Sequence, residues 1–257
     1  MRLSEPFRIG ILQADSAIEH LREEFGNYPQ MVSLILSEAA GGLSFSNYDL
    51  LADEWPGDID ECDGYVITGS RRSVYEQEAW IIKLAGWART LHDRQKPTVG
   101  ICFGHQLIAH ALGGVTEPAP QGWGVGVANT DISSRRDFMS PWVPTVALVV
   151  SHKDQVTTLP PGAERLGGND FCPNGMFVLG KHMLGLQGHP EFTRGYSRGT
   201  MAFRREMIGE STYTLGVQSL ERAPDRRLVA AWLVNFLREA AARRSGLGGS
   251  TRGCAGA

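Results

Sequence analysis

Residues 97–114 read PTVGICFGHQLIAHALGG. A short apolar run, Pro97 to Ile101, reads as a strand that ends at Cys102. A helical pattern from Gln106 to Leu112 follows and stops at Gly113-Gly114. Gly100 and Gly104 stand two residues to either side of the cysteine. A nucleophile on a sharp strand-to-helix turn needs small flanking residues, because the backbone approaches itself there and a β-carbon would clash. Such a turn lies at the carboxyl end of a strand, where open α/β sheets bind ligands. It also sets the thiol at a helix N-terminus, whose partial positive charge favours thiolate over thiol. The alternative reading of Cys102 is a small buried hydrophobe.

Upstream of this segment the chain alternates strand and helix. Strands are expected at residues 7–14, 43–51 and 64–68. Helices are expected from Tyr28 to Glu38, with Pro29 in the first turn and Gly41-Gly42 as the stop, and from Tyr75 to Asp93. This alternation predicts an α/β fold with a mainly parallel central sheet and helices on both faces. Downstream, residues 122–130, 145–151, 176–180 and 183–187 read as strands separated by turns, which predicts an antiparallel extension of that sheet. Residues 193–209 and 225–243 read as helices. No repeat or long linker divides the chain, so residues 1–244 are expected to form a single domain. Residues 245–257, rich in Gly and Ser, are expected to form a disordered tail.

The 257 residues suffice to bury a sizeable core. The formal charge of −3 and pI near 6.2 offer no basic excess to neutralise phosphates, so nucleic acid is not an expected partner. No apolar run approaches the roughly 18–20 residues that span a bilayer, and the amino end lacks a signal-peptide pattern. No membrane association and a cytoplasmic location are therefore expected. Cys62, Cys102, Cys172 and Cys254 have neither metal-type nor disulfide-framework spacing, and no metal is expected.

A cysteine nucleophile requires an imidazole to activate it and to protonate the leaving group. His189 follows an apolar run and Gly188, in LGLQGHPEF. Glu191 stands two residues on, across a stiffening Pro190. A carboxylate so placed can bond the far ring nitrogen and fix its tautomer. A surface turn is the alternative. Acyl transfer also needs backbone N–H donors for an oxyanion. Phe103, first after the nucleophile, can supply one. Gly69, after the apolar strand in GYVITGSRRSVYE, can supply another, unless Gly69-Ser70 is a plain turn. His152, in SHKDQV, could line the pocket, whereas His105 and His110 read as helix-face residues.

Three segments together resemble the class I glutamine amidotransferase family: VITGSRRSVYE (66–76), GICFGHQLIAHALGG (100–114) and LQGHPEF (186–192). Their order is that of the family, with His189 87 positions after Cys102. The likeness runs over about residues 7–210 and is nearest to stand-alone members that resemble the glutaminase domain of GMP synthase. It implies a flavodoxin-like fold. It also implies a catalytic triad of Cys102 as nucleophile, His189 as general acid and base, and Glu191 as its orienter, with Gly69 and Phe103 as oxyanion donors. Gln106 would help to hold the substrate, and Ser151 and His152, in the family-like SHKDQV segment, would lie near it. The chemistry implied is hydrolysis of the γ-glutamyl amide of glutamine through a γ-glutamyl thioester, without a cofactor. The small-molecule substrate is then glutamine or a γ-glutamyl compound.

Two departures from the family pattern stand out. Thr68-Gly69-Ser70 replaces the frequent Gly-Gly-Pro, and no synthetase domain is expected to follow. Three readings remain open on the sequence. One is a glutaminase that feeds a separate ammonia-accepting synthetase subunit. Another is a γ-glutamyl peptidase or hydrolase acting on a small γ-glutamyl compound. The third is a catalytically silent binding protein on the same fold. Homo-oligomerisation is compatible with all three.

Overall fold

β1 (Phe7–Gln13) enters the core as FRIGILQ, buried from Ile9 onward. In the computed structural model, which describes residues 5–249, it is followed by α1 (Arg22–Phe25), α2 (Tyr28–Ala39), β2 (Leu43–Asp49), β3 (Gly64–Ile67), α3 (Ala79–Asp93), β4 (Thr98–Ile101) and α4 (Phe103–Ala111). Then come β5 (Val115–Pro118), β6 (Gly124–Ile132), β7 (Thr145–His152), β8 (Asp154–Thr158), β9 (Ala163–Gly168), β10 (Met176–Leu179) and β11 (Met183–Leu186). The last helices are α5 (Arg194–Phe203), α6 (Arg205–Ile208), α7 (Glu210–Ser219) and α8 (Arg226–Gly249).

Nine strands form one sheet in the order β2-β1-β3-β4-β11-β10-β9-β6-β7, and β5 pairs with β8 in a small second sheet. From β2 to β11 the strands run parallel. From β11 to β7 they are antiparallel. The parallel sheet with an antiparallel extension is thus the one the periodicity predicts, and its first strands follow the flavodoxin-like winding. Ile9, Ile11, Val66 and Val99 pack on one face with Val32, Ile35, Trp232 and Leu233 from α2 and α8. Leu12, Tyr65 and Ile67 pack on the other with Leu84, Leu91 and Leu107 from α3 and α4. Helices therefore cover both faces, and the carboxyl ends of the parallel strands stay open for a site.

Several boundaries differ from the sequence reading, each for a local reason. α2 begins where expected because Asn27 caps it in a capping box with Gln30. α3 begins at Ala79 rather than Tyr75, because residues 71–78 form a loop in which Ser73 N donates to Glu76 Oε1. α4 begins at Phe103, three residues before its apolar pattern does. β5, β8 and β9 were not anticipated. The expected helix over 193–209 breaks at Arg204 into α5 and α6, and α7 adds a further helix. α8 continues through Gly249, so residues 245–249 of the expected tail are helical. Residues 250–257 lie outside the described residues. No helix among the described residues is long and apolar enough to cross a membrane.

Candidate active site

Cys102 sits between β4 and α4 with φ 51° and ψ −100°. A non-glycine residue in this region stores roughly 1–3 kcal/mol of backbone strain and persists only where its surroundings over-determine it. Here they do. Cys102 N donates to Leu186 O at 2.8 Å and Gln106 N to Cys102 O at 3.0 Å. The flanking glycines are small for the reason inferred from sequence. A β-carbon on Gly100 would lie 2.4 Å from Gly104 C, and one on Gly104 would lie 2.4 Å from Ile67 O. The bend thus packs backbone against backbone, which leaves the thiol at the head of α4.

His189 is carried to the same place by the loop after β11. Its N–H donates to Val149 O at 2.8 Å, which ties the loop to β7. The ring stacks on Phe192 with centroids 3.9 Å apart and planes 4° from parallel. Its Nδ1 donates to Glu191 Oε1 at 2.7 Å, and both side chains are buried. Behind them Arg226 donates to Pro190 O at 2.9 Å and Glu191 O at 3.0 Å, bracing the turn that Pro190 stiffens. Burial pushes the His189 pKa down, but the Glu191 carboxylate, then Cys102, outweigh it and raise the value to about 10. The pull from Cys102 marks the thiol and imidazole as electrostatic neighbours. The ring is thereby held as an imidazolium beside the sulfur.

Gly69 completes the cluster. A β-carbon there would lie 3.1 Å from His189 Cε1 and 3.8 Å from Cys102 Cβ, so the strand-end backbone passes directly beside both. Phe103 is the first residue of α4, a position whose N–H has no intrahelical acceptor. Its ring is buried against Trp80.

Of the eight residues singled out from the sequence, Gly69, Cys102, Gln106, Ser151, His152 and His189 line one cleft of about 410 Å³, while Glu191 stands behind His189 and Phe103 follows Cys102 at the start of α4, both outside the lining. Gln106 lines it but is also engaged, donating to Asp154 O at 2.7 Å and Gln187 Oε1 at 3.1 Å. Ser151 accepts from an Arg204 guanidinium nitrogen at 3.0 Å. His152 is buried, its Nδ1 2.9 Å from Asp154 O, and burial lowers its pKa to about 4, which leaves it neutral. His105 lies behind the cleft, buried against Phe177, and burial lowers its pKa to about 3. His110 is exposed. Cys62 and Cys172 are free and buried, and burial pushes the Cys172 thiol up to about 12. Among the described residues no three His, Cys, Asp or Glu side chains gather as a metal set would.

The sequence reading missed Asp15, Arg71, Asp154 and Arg204. Asp15 follows β1, and its carboxylate accepts from Arg71 N, Nε and a terminal guanidinium nitrogen at 2.8–2.9 Å. That clasp fixes the loop just after Gly69. Asp154, in the cleft wall, accepts from Ser73 Oγ at 2.5 Å and anchors the far part of the same loop. A signal was present for Asp15, an acid directly after a buried strand at the binding edge of the sheet.

Comparisons with known proteins give the family of the chain. Residues 45–207 match the family model described as glutamine amidotransferase class-I. The chain is 30% identical over 199 residues to Gamma-glutamyl peptidase 5 of Arabidopsis thaliana, which covers 75% of this chain and 78% of that one. It is 29% identical over 242 residues to Gamma-glutamyl peptidase 3 of the same plant, over 90% of this chain and 96% of that one. The glutamine-hydrolyzing GMP synthase of Porphyromonas gingivalis is 32% identical over 138 residues, 53% of this chain and 26% of that protein. Among solved structures, a glutamine amidotransferase from Thermotoga maritima has the same fold, with a TM-score of 0.70 over 91% of this chain and 97% of that one at 20% identity. The chain belongs to the class-I glutamine amidotransferase family.

Proposed function

We propose that the chain hydrolyses a γ-glutamyl amide bond through a thioester on Cys102. The observation that carries this reading is the convergence of three features: the strained Cys102 at the head of α4, the buried His189–Glu191 pair with its raised pKa, and the Gly69 backbone beside both. The Cys102 thiolate attacks the γ-carbonyl carbon, and the oxyanion that forms is met by the N–H groups of Gly69 and Phe103. The His189 imidazolium gives its proton to the leaving nitrogen as the carbon–nitrogen bond breaks. Water, losing a proton to the neutral ring, then attacks the thioester and frees the γ-carboxylate and the thiolate. Glu191 holds the ring's orientation throughout.

Glutamine, with ammonia as the leaving group, is the smallest substrate this chemistry serves. That reading carries with it a separate synthetase that would accept the ammonia. The cleft favours a larger γ-glutamyl compound. Its volume of about 410 Å³ falls in the range of sites for drug-sized ligands, and Tyr28, Tyr75, Trp123 and Phe203 give its lining apolar surface. The Arabidopsis relatives named as γ-glutamyl peptidases point the same way. A silent binding protein would have no use for a strained cysteine beside a carboxylate-bound imidazolium.

The test is the release of ammonia and glutamate from glutamine, measured beside amine release from γ-glutamyl dipeptides and γ-glutamyl anilides. Turnover of the larger amides that is lost in Cys102→Ser is expected. If wild-type protein releases neither ammonia nor amine, and no glutamine-like electrophile attaches to Cys102, the reading is wrong.

A further inference from the structure

Arg204 lines the catalytic cleft at the break between α5 and α6. It is half-buried, its guanidinium carbon lies over Trp123 at 5.6 Å from the ring centroid, and one of its N–H groups donates to Ser151 Oγ at 3.0 Å. Trp123 and Ser151 line the cleft as well. The aromatic contact and the single bond orient the guanidinium, while most of its five donors stay unused. The cleft lining carries four cations, Arg71, Arg72, Lys153 and Arg204, against one acid, Asp154, in a chain whose formal charge is −3. Arg71 is paired with Asp15, and Arg72 with Glu76 and Glu78. Lys153 is exposed, where solvent and salt screen its charge. Arg204 is the oriented cation of the cleft that no carboxylate pairs with among the described residues.

Its place along the cleft follows from its neighbours. In the proposed reaction His189 protonates the leaving nitrogen, so the leaving group lies on the imidazole side of Cys102. α5 flanks that side: Tyr196 packs edge-on against Phe192 with centroids 4.5 Å apart, and Phe192 stacks on His189. Thr200 and Arg204 follow Tyr196 at four-residue steps, the spacing of one helix face, and both line the cleft. β7 leads to the same place. Val149 O accepts from His189 N, and Ser151, which Arg204 bonds, stands two residues on, a strand step of roughly 7 Å along the same face. Arg71 and Arg72 instead follow Gly69 on the oxyanion side.

We propose that Arg204 sets the specificity of the site by pairing with a carboxylate on the leaving amine, so that γ-glutamyl amino acids or peptides are favoured over glutamine. This deepens the reaction proposed for Cys102 and rests on it. A guanidinium meets a carboxylate through two parallel N–H···O bonds, a geometry that neither ammonia nor a neutral amide end can return.

The probes are γ-glutamylglycine and γ-glutamylalanylglycine, each beside its C-terminal amide, and glutamine. An acid and its amide differ only in the charge at the end of the leaving group. The wild type should prefer the acid by about 10–100-fold in kcat/KM in at least one pair, the worth of hydrogen bonds to a charged group. Arg204→Met should abolish that preference, mainly through KM, and leave turnover of the amides and glutamine nearly unchanged. Arg204→Lys should keep part of the preference. A residue that only supports the fold, or that holds the α-carboxylate of the glutamyl half, would on removal slow acid, amide and glutamine alike. That result, or a wild type indifferent to the charge in both pairs, would overturn the proposal. The same pairs titrated by calorimetry into Cys102→Ser, with and without Arg204→Met, read recognition apart from turnover. If the wild type hydrolyses none of the probes, the reaction is refuted and the binding arm decides Arg204: an acid preference that Arg204→Met removes upholds its pairing with a carboxylate, and equal binding of acid and amide overturns it.

Discussion

His189 Nδ1 donates to one oxygen of Glu191 at 2.7 Å, and the other oxygen, Oε2, is buried with no hydrogen-bond partner. A buried carboxylate gains little from solvent, so its charge acts on the ring beside it. That is why the imidazole is raised to about 10 despite complete burial, which by itself would lower it. The pair is at once an orienting device and a store of proton affinity.

Glu191→Gln should keep the hydrogen-bond geometry and remove the charge. Hydrolysis should slow by about 10²–10³-fold, since a positioned acid–base contributes on that scale. Because the folded-state pKa of His189 lies above its ordinary value, the pair's contribution to stability is full below about 6.5 and is lost as pH rises towards 10. The melting temperature of the wild type should therefore fall towards that of Glu191→Gln between pH 7 and 10. A gap between the two that stays constant over this range would contradict the assignment.

Cys102 adopts φ 51°, which glycine tolerates and alanine does not. Cys102→Ala and Cys102→Gly should both be inactive, yet differ in stability. The glycine variant is expected to be more stable by about 1 kcal/mol, the strain relieved less the extra freedom of the unfolded chain. Denaturant titration of the two proteins decides it. An alanine variant more stable than the glycine variant would mean that the bend is not strained.

Gly100→Ala and Gly104→Ala place a β-carbon 2.4 Å from backbone atoms of a neighbouring segment. Backbone cannot move aside as a flexible side chain can, so each should cost about 3 kcal/mol or more and lower soluble yield. Gly86→Ala, on α3 with nothing within 4 Å, is the control and should leave the melting temperature the same or higher. Equal behaviour of the three variants would refute close approach as the reason for the glycines flanking Cys102.

The parallel half of the fold was legible because its buried strands are short apolar runs bounded by glycines, and the Gly-x-Cys-x-Gly bend carries its own geometric demand. β9, AERLGG, escaped because it is half exposed and ends in glycines, and β8 because it carries Asp154 and Gln155 at buried positions. α7, ESTYTLGVQS, has no apolar stripe. It is held instead by a close approach in which Gly126 meets Gly216, a contact no local pattern reveals. In the candidate site, residues whose chemistry follows from neighbours in sequence, such as Cys102 and the His189–Glu191 pair, could be read. Asp154 could not, because its partner Ser73 stands 81 positions away, and at Asp15 the place after a buried strand was a signal but its partner Arg71, 56 positions on, was not.

The Asp15–Arg71 clasp supplies the last prediction. Burial would raise the pKa of Asp15, but its hydrogen bonds from the Arg71 side chain and backbone, then from Ser16 N, lower it below the ordinary carboxylate range. Its contribution to stability is thus present above about 3.8 and lost as pH falls through the depressed value. At neutral pH the clasp holds the loop that follows Gly69, whereas Cys102 and His189 are held by other elements. Arg71→Ala should therefore loosen the oxyanion side and spare the nucleophile. Turnover should drop about 10–100-fold, less than removal of an oxyanion donor costs outright. Alkylation of Cys102 by iodoacetamide, which forms no oxyanion, should proceed at close to the wild-type rate. Arg71→Lys, which keeps the charge but not the two-pronged geometry, should recover part of the loss. If alkylation slows as much as hydrolysis does, the clasp supports the whole site, and the division of labour argued for Gly69 does not hold.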